Sequence, residues 1–445
     1  MKSYKINKAY RFIYMLVLIC LFTFFTGTTD VWAKKAKKTV VSDYSFGSLK
    51  YTIDVENGSA LVTGSVNPNL KKLSVPASIE YDGAEIPVTG IGEYAFESSK
   101  LTSVKLGKNV KSVGEGAFAF STKLKKATIS DSCLDIGEAA FFNCGKLSKV
   151  SFGKNPGLNA IGAGAFAGTA IVSFKVPDTT VFIGDATFSD CASLTGITLG
   201  AALETIGTGA FSGCNALSEV IKSENNMNLE VYDNIVYSGD YKELISGAAA
   251  RGAIMLHEGL EVIRSRAFED NTNLVSVKIP AGTISIGEGT FMNCKALEQA
   301  ECFYGLTTIE DNAFYRCEML KSINIPESVT TIAGNPFKYC PVLKELSVDE
   351  NNRSFRMVDE MLATYDSKVV VSAPAVSGIV ALAQEFRSVN EYAFCGNTSV
   401  KAVKLNKKLE KVGTGAFHDC SGLVMIQVES GTVVDDPEEI EDIII

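Results

Sequence analysis

The hydrophobic positions of this chain recur with a period close to 23 residues. Each copy opens with Ile or Val and has an aromatic residue five positions later, usually preceded by Ala. The aromatic residue is Phe in all twelve copies: Phe96, Phe118, Phe141, Phe166, Phe188, Phe211, Phe268, Phe291, Phe314, Phe337, Phe394 and Phe417. One hydrophobic residue kept at one place in every copy predicts a repeat architecture rather than several globular domains.

The second half of each copy carries the pattern Leu-x-x-Val-x-Leu, as in Leu101 to Leu106. Two apolar residues two positions apart lie on one face of a strand, and the residue between them points the other way. A single short strand cannot bury its apolar face, so the copies are expected to stack as a solenoid over residues 91–428. The stack should contain a parallel sheet with strands about 4.8 Å apart.

The first half of each copy, Ala-Phe-x-x-Cys, is too short for an independent helix. We predict a short helical turn whose Phe fills the interior. Gly follows the opening residue in eight copies, which indicates a special turn conformation at that point. Gly-x-Gly also recurs with the repeat, so it is interpreted as turn chemistry and not as a nucleotide-binding fingerprint.

Two intervals between copies are 57 residues long because they contain insertions, 222–262 and 348–388. The insertions align without a gap and are two copies of one element. Each is predicted to contain a β-hairpin that projects from the stack without interrupting it, either as a binding loop or as a spacer between coils. The paired segments are predicted at 234–237 with 243–246 and at 360–364 with 368–372.

The start of the chain has the pattern of a secretory signal. Residues 1–33 combine a basic beginning, an apolar run from Phe12 to Phe25 and a small-residue cleavage site at Ala33. The apolar run is shorter than the roughly 20 residues that a membrane-spanning helix needs. The signal predicts a secreted or cell-surface protein without a transmembrane segment after cleavage.

The two flanks of the solenoid have their own patterns. Residues 34–90 are predicted to form a linker and a β-rich cap, with a hairpin turn at Asn57-Gly58. A cap is needed because the end of a stack exposes apolar core and an unpaired strand edge. Residues 429–445 are predicted to be an acidic, solvated C-terminal tail.

Composition narrows the functional classes. The chain is 46% hydrophobic and 21% charged, which is ordinary for a protein with a large core. Its net charge of −9 disfavours binding to nucleic acid. The two histidines, His257 and His418, have no nucleophile motif beside them, so the roles that an enzyme requires cannot be assigned. We predict no catalytic site and no cofactor.

Cysteine recurs at one position, three residues after the repeat Phe. Buried free thiols are favoured, because parallel side chains on neighbouring coils suit the disulfide dihedral poorly and Cys is often buried. Export would favour oxidation, so cross-links stay an alternative. Without a Cys-x-x-Cys spacing or a Cys/His cluster, no metal site is predicted. The residues are Cys144, Cys191, Cys214, Cys294, Cys317, Cys340 and Cys420.

With Ile-Gly-x-x-Ala-Phe-x-x-Cys followed by Leu-x-x-Val-x-Leu at this period, residues 70–428 resemble the BspA-like subclass of bacterial leucine-rich-repeat surface proteins. The resemblance implies an α/β repeat fold: a right-handed solenoid with a concave parallel β-sheet, short helical turns and, here, two inserted β-hairpins. It also implies export and a role in adhesion or protein binding. It transfers no ligand, because the motif residues are core residues.

The outward residue between the two apolar strand positions is the most informative surface. No aromatic residue occurs there, which disfavours polysaccharide binding along this face, although Tyr232, Tyr237 and Tyr365 of the insertions could supply rings. The candidate binding residues on or beside this strip are Lys105, Lys125, Lys126, Lys149, Lys175, Lys278 and Lys404.

We therefore predict an exported, non-enzymatic protein whose lysine strip docks an acidic surface or extracellular protein or an envelope polymer. A merely solvated face on a passive structural protein of the envelope is the first alternative. An enzyme acting on a polymer is the second and less favoured one.

Overall fold

Each repeat forms one coil that contains a two-residue strand, a turn segment and a longer strand. The computed structural model describes residues 39–428, and the chain from Val40 onward belongs to one compact unit. The predicted signal peptide, 1–33, and the predicted acidic tail, 429–445, lie outside the described residues.

The two-residue strands carry the opening Ile or Val of the repeats. Each pairs in parallel with the same strand of the next coil, so the opening side chains form a row. The strands are Ser112–Val113, Asp135–Ile136, Ala160–Ile161, Phe182–Ile183, Thr205–Ile206, Val262–Ile263, Ser285–Ile286, Thr308–Ile309, Thr331–Ile332, Ser388–Val389 and Lys411–Val412.

The Leu-x-x-Val-x-Leu segments form the second parallel ladder, here called the long-strand ladder. Equivalent residues are in register, as Val104 is with Ala127, which confirms the predicted solenoid of stacked parallel strands. The strands are Ser103–Lys105, Lys126–Thr128, Lys149–Ser151, Ser173–Lys175, Gly196–Leu199, Glu219–Lys222, Leu274–Ile279, Gln299–Cys302, Ser322–Ile325, Glu345–Val348, Val400–Leu405 and Met425–Val428.

The Ala-Phe segments are turns, and the prediction of short helical turns is wrong. Residues 39–428 contain no helix. In nearly every copy the third and seventh residues after the opening one have a left-handed backbone, for example Gly116 (φ 57°) and Phe120 (φ 58°). A right-handed helix cannot continue through such residues. Their N–H groups instead donate to the next coil, as Phe120 does to the Phe142 carbonyl at 2.7 Å.

The glycine after the opening residue serves close packing between coils and not a special turn conformation. Its backbone is not left-handed in any of the eight copies. A Cβ atom on Gly207 would lie 2.3 Å from the backbone nitrogen of Asp185 in the preceding coil. Two of the exceptions, Arg264 and Asn390, belong to the first coil after an insertion, where the preceding coil has a different path.

The repeat Phe side chains all point inward, as the sequence predicts. Ten of the twelve are no more than 2% exposed, and the other two, Phe96 and Phe417, are 4% and 6% exposed. Rings of successive coils stack at short distances, such as 5.0 Å between the centroids of Phe118 and Phe141. Stacking side chains of this size supplies a large apolar area in the core.

The thiols of the repeat cysteines donate hydrogen bonds to backbone carbonyls of the preceding coil. All ten cysteines of the described residues are free and buried, which confirms the prediction of buried thiols. The thiol of Cys144 donates to the carbonyl of Phe118 in the preceding coil at 3.1 Å, and each of the other six repeat cysteines makes the equivalent contact. Ser121 replaces the thiol in the second copy and bonds the Phe96 carbonyl at 2.9 Å. The third residue after the repeat Phe therefore serves as a hydrogen-bond donor to the preceding coil.

The insertions form the predicted hairpins, but their paired strands do not project from the stack. Ile235–Ser238 pairs with Glu243–Ser246, and Met361–Thr364 pairs with Val369–Ser372. Both pairs are buried as walls between hydrophobic clusters. Alternate side chains of the first wall face opposite sides: Val236 and Ile245 join the cluster before it, while Tyr237 and Leu244 join the cluster after it.

The insertions also interrupt the ladders, so the solenoid contains three consecutive hydrophobic clusters. The third strand of each insertion pairs in parallel with the two-residue strand that follows, and its fourth strand pairs in parallel with the first long strand that follows, so each insertion starts the next block of coils. The remaining inserted strands are Leu229–Tyr232, Gly252–Met255, Phe355–Val358 and Gly378–Ala381.

The N-terminal cap is a small antiparallel sheet. Leu49–Asp54 and Ser59–Ser65 form the predicted hairpin around Asn57-Gly58, and Val40–Phe46 adds to its outer side. Ala84–Ile91 joins this sheet to the first two-residue strand, and Ser78–Tyr81 pairs with it. Lys72–Ser74 starts the long-strand ladder beside Ser103–Lys105.

Gly207→Ala should destabilise the protein by about 1–3 kcal/mol, because the added methyl group forces two coil backbones apart. Urea unfolding followed by circular dichroism measures the change. The matched control is Gly145→Ala, where the nearest atom to the new Cβ is 4.0 Å away. An equal loss of stability in the two variants would contradict the role in close packing.

The ten thiols should be unreactive in the native protein. Burial raises the pKa of Cys144 and Cys340 to about 12, which leaves almost no thiolate at pH 8. All ten thiols are also buried, including Cys191, whose pKa a hydrogen bond with Cys214 lowers, so a thiol reagent such as Ellman's reagent should label none of the ten in buffer and all ten in guanidinium chloride. Labelling of fewer thiols after unfolding would reveal disulfides and contradict the free state.

Candidate functional site

The outer side of the first four long strands carries a concentration of lysines. We define the lysine face as Lys72, Lys105, Lys125, Lys126 and Lys149, which lie on or directly beside these strands. All five side chains are exposed. They are held there by the strand pattern, since the apolar residues between them, such as Val104 and Ala127, are buried and leave the alternate positions outside.

The strand register brings like charges together on this face. Lys126 lies opposite Lys149 on the adjacent strand, and Lys72 and Lys126 flank Ser103 from its two sides. Adjacent parallel strands are about 4.8 Å apart, and like charges at that spacing disfavour the fold. None of the five lysines forms an ion pair within the described residues, and the four strands contain no carboxylate. The positive charge is therefore available to a partner.

The long strands between the two insertions are electrostatically different. Lys278 is held by Glu301 of the next strand at 2.9 Å, and Lys321 by Glu298 at 2.7 Å. Lys404 is exposed on the ladder of the third block, next to Gln427. The structure thus brings together four of the seven predicted binding residues, Lys105, Lys125, Lys126 and Lys149. It does not bring Lys278 or Lys404 to them.

A cleft of about 560 Å³ lies where the long-strand ladder breaks, directly after Lys149–Ser151. The repeat is longer there, and the extra loop is tied down by the Asn155 N–H, which donates to the Asp131 carboxylate at 3.3 Å. The half-buried ring of Phe152 and the exposed amino groups of Lys154 and Lys175 line it. The cleft combines an apolar surface with two positive charges next to the lysine face.

Sequence reasoning missed two residues of this region. Lys72 lies on a strand that precedes the first complete repeat. The Leu-x-x-Val pattern of that strand is the signal by which the sequence could have identified it. Lys154 lies in the loop of a 25-residue interval, where the departure from the usual 23 is the available signal. Lys175, one of the predicted binding residues, lies across the ladder break and lines the cleft.

The described residues hold little else that points to chemistry. Between residues 39 and 428 no group of three or more His, Cys, Asp or Glu side chains is arranged to bind a metal ion. The same span offers no helix that could cross a membrane. Burial raises the pKa of the thiols of Cys144 and Cys340 to about 12, whereas a hydrogen bond with Cys214 lowers the pKa of the fully buried Cys191.

Comparisons with solved structures agree with this architecture. A leucine rich cell surface protein from Faecalibacterium prausnitzii is 25% identical, with a TM-score of 0.53, over 87% of this chain and 94% of that protein. The pneumococcal vaccine antigen PcpA is 18% identical, with a TM-score of 0.57, over 89% and 98% of the two chains. A leucine-rich repeat protein from Eubacterium ventriosum is 18% identical, with a TM-score of 0.54, over 89% and 93%.

The sequence itself identifies the family. No curated protein matches this chain. The family model for the BspA type leucine rich repeat region matches residues 67–195, 155–232, 252–357 and 378–436, which together include most of the coils. The chain belongs to the BspA-type leucine-rich-repeat family.

Proposed function

We propose that this protein is exported and binds an acidic surface or extracellular protein through the lysine face and the adjoining cleft. The observation that carries the proposal is the charge on four neighbouring strands, which is positive, exposed and unneutralised in a chain of net charge −9. Complementary charge on a partner would relieve the repulsion between the lysines and would accelerate encounter.

The location of the protein is inferred from its relatives and its first residues. A cell-surface protein is among its structural relatives, and residues 1–33 have the pattern of a secretory signal. A long ladder of exposed strands also gives an extended surface, which repeat proteins use for binding other proteins. These points favour a binding role outside the cell.

A passive structural role in the envelope is the competing proposal. It explains the stack of coils equally well, but it requires no concentration of unpaired lysines at one end of the ladder. In the later strands, Lys278–Glu301 and Lys321–Glu298 show how the same scaffold neutralises its surface charges. An exposed ion pair contributes only about 0–1 kcal/mol, but a purely structural role still favours it over the repulsion between unpaired lysines.

Reversing three charges, Lys105→Glu, Lys126→Glu and Lys149→Glu, should weaken binding to an acidic partner at least tenfold. The measurement uses immobilised poly-L-glutamate as the probe and the mature chain in about 50 mM salt, where charges are screened weakly. A matched control with the same change in net charge is Lys401→Glu, Lys404→Glu and Lys407→Glu, and it should change the affinity less than threefold.

Two outcomes would contradict the proposal. One is an equal loss in the two triple variants, which would make net charge and not the lysine face responsible. The other is the absence of binding by the unmodified protein. Unfolding midpoints of all variants are measured in parallel, because Lys126→Glu and Lys149→Glu again place two like charges opposite each other, and an unchanged midpoint shows that the folded state is intact.

A further inference from the structure

The two insertions are copies of one element, but they differ at one cluster of side chains. Every residue of the first insertion has its counterpart 126 positions later. The backbone arrangement is the same, since Leu229 pairs with Ser238 and the equivalent Phe355 pairs with Thr364. The buried amide of Asn226 also bonds the carbonyls of two residues, and Asn352 bonds the two equivalent carbonyls.

The first insertion carries four rings that the second lacks. We define the aromatic cluster as Tyr232, Tyr237, Tyr241 and His257. The imidazole of His257 stacks on the ring of Tyr241 with centroids 4.1 Å apart, and the ring of Tyr232 approaches it edge-on at 6.0 Å. Tyr237 lies beneath the others, fully buried, at 6.2 Å from His257.

The fold does not require these rings. In the second insertion the equivalent residues are Val358, Ala363, Ser367 and Ala383. That insertion has the same strands, the same pairing and the same place between two hydrophobic clusters. Four large side chains at one site, against small or aliphatic ones in an otherwise equivalent element, indicate a role beyond stability.

The cluster presents both a ring surface and free polar groups. Tyr232 is 52% exposed, and Tyr241 and His257 are half-buried. The Nδ1 atom of His257 accepts a hydrogen bond from the Gly259 N–H at 3.1 Å, so the hydrogen of the neutral ring is on Nε2. Within the described residues, that Nε2–H and the hydroxyl groups of Tyr232 and Tyr241 have no hydrogen-bond partner.

We propose that the aromatic cluster is a carbohydrate-binding site. A pyranose ring has an apolar C–H face, which packs on an aromatic ring by dispersion, and hydroxyl groups around its rim. Two phenol groups and one N–H at the border of the rings match that rim, since phenols donate and accept while the imidazole donates. Shallow exposure fits a terminal or side-chain sugar of a surface glycan.

Other ligand classes fit the surroundings less well. Of the carboxylates near the rings, Glu230 and Glu261 are held in ion pairs with Lys222 and Lys242, which leaves a cationic ligand the exposed carboxylates of Asp233 and Glu258, whose attraction is screened by solvent and salt. A hydrophobic side chain of a protein partner would leave the three polar groups at the border without hydrogen bonds, which costs binding energy. The site is separate from the lysine face and does not depend on the function proposed for it.

The test is a glycan microarray probed with the mature chain, followed by titration of the best-bound oligosaccharide in solution. The test variant transplants residues of the second insertion into the first: Tyr232→Val, Tyr241→Ser and His257→Ala. It should keep the unfolding midpoint and weaken binding at least tenfold. If it unfolds, the single variant Tyr232→Val, at the most exposed ring, should weaken binding at least threefold.

Two controls separate this site from others. Tyr365→Ala removes an exposed tyrosine from the second insertion, whose ring is covered by Arg353, and should leave glycan binding unchanged. The reversed lysine face should also leave it unchanged. The proposal is overturned if no glycan is bound at millimolar concentration, if the transplanted variant binds as well as the original, or if the cluster captures a protein that saccharides do not displace.

Discussion

The stacking of one phenylalanine per coil is the interaction on which the rest of this structure depends. The ring occupies the interior, and truncation of such a residue typically costs about 3–5 kcal/mol. Because each coil contacts mainly its two neighbours, the rings of successive coils within each hydrophobic cluster pack on one another, and the backbone around them must approach the next coil closely. That demand explains the glycine after the opening residue and the donor at the cysteine position, which satisfies the Phe carbonyl of the preceding coil.

The same demand restricts where function can reside. Inward positions are committed to packing, and the backbone is committed to hydrogen bonds between coils, so recognition is left to outward side chains and to departures from the repeat. The lysine face is a departure in charge, the cleft beside Phe152 is a departure in repeat length, and the aromatic cluster is a departure between duplicated insertions. On the long strands between the two insertions, by contrast, Lys278 is neutralised by Glu301.

Features that depend on local periodicity are predictable from the sequence. The inward Phe, the register of the long strands, the hairpin at Asn57-Gly58 and the buried thiols all belong to that class, because each depends on residues that are close in sequence or repeated. The prediction of a helical turn is wrong because the alternation of backbone conformation in the turns is set by hydrogen bonds to the next coil, as Phe120 shows. The signal within a coil is the second Gly of the recurring Gly-x-Gly, as at Gly116, because glycine adopts the left-handed conformation readily.

Contacts between distant segments are not accessible in this way. The sequence predicts that the inserted hairpins project from the stack. In the structure both faces of the inserted strands are apolar, and Val236 and Tyr237 pack in different hydrophobic clusters. For the lysine strip, the sequence identifies the lysines but not their pairing. Whether Lys278 is neutralised depends on which residue the next strand places beside it.

The most direct measurement places a photoreactive benzoylphenylalanine on the surface of the intact protein in the cells that produce it. At Thr128, within the lysine face, irradiation should give a covalent adduct with an acidic protein. At Asn324, on a long strand between the two insertions where the lysines are held in ion pairs, irradiation should give no adduct. Equal adducts at the two positions, or an adduct at Asn324 alone, would contradict the claim that recognition is confined to the unneutralised end of the ladder.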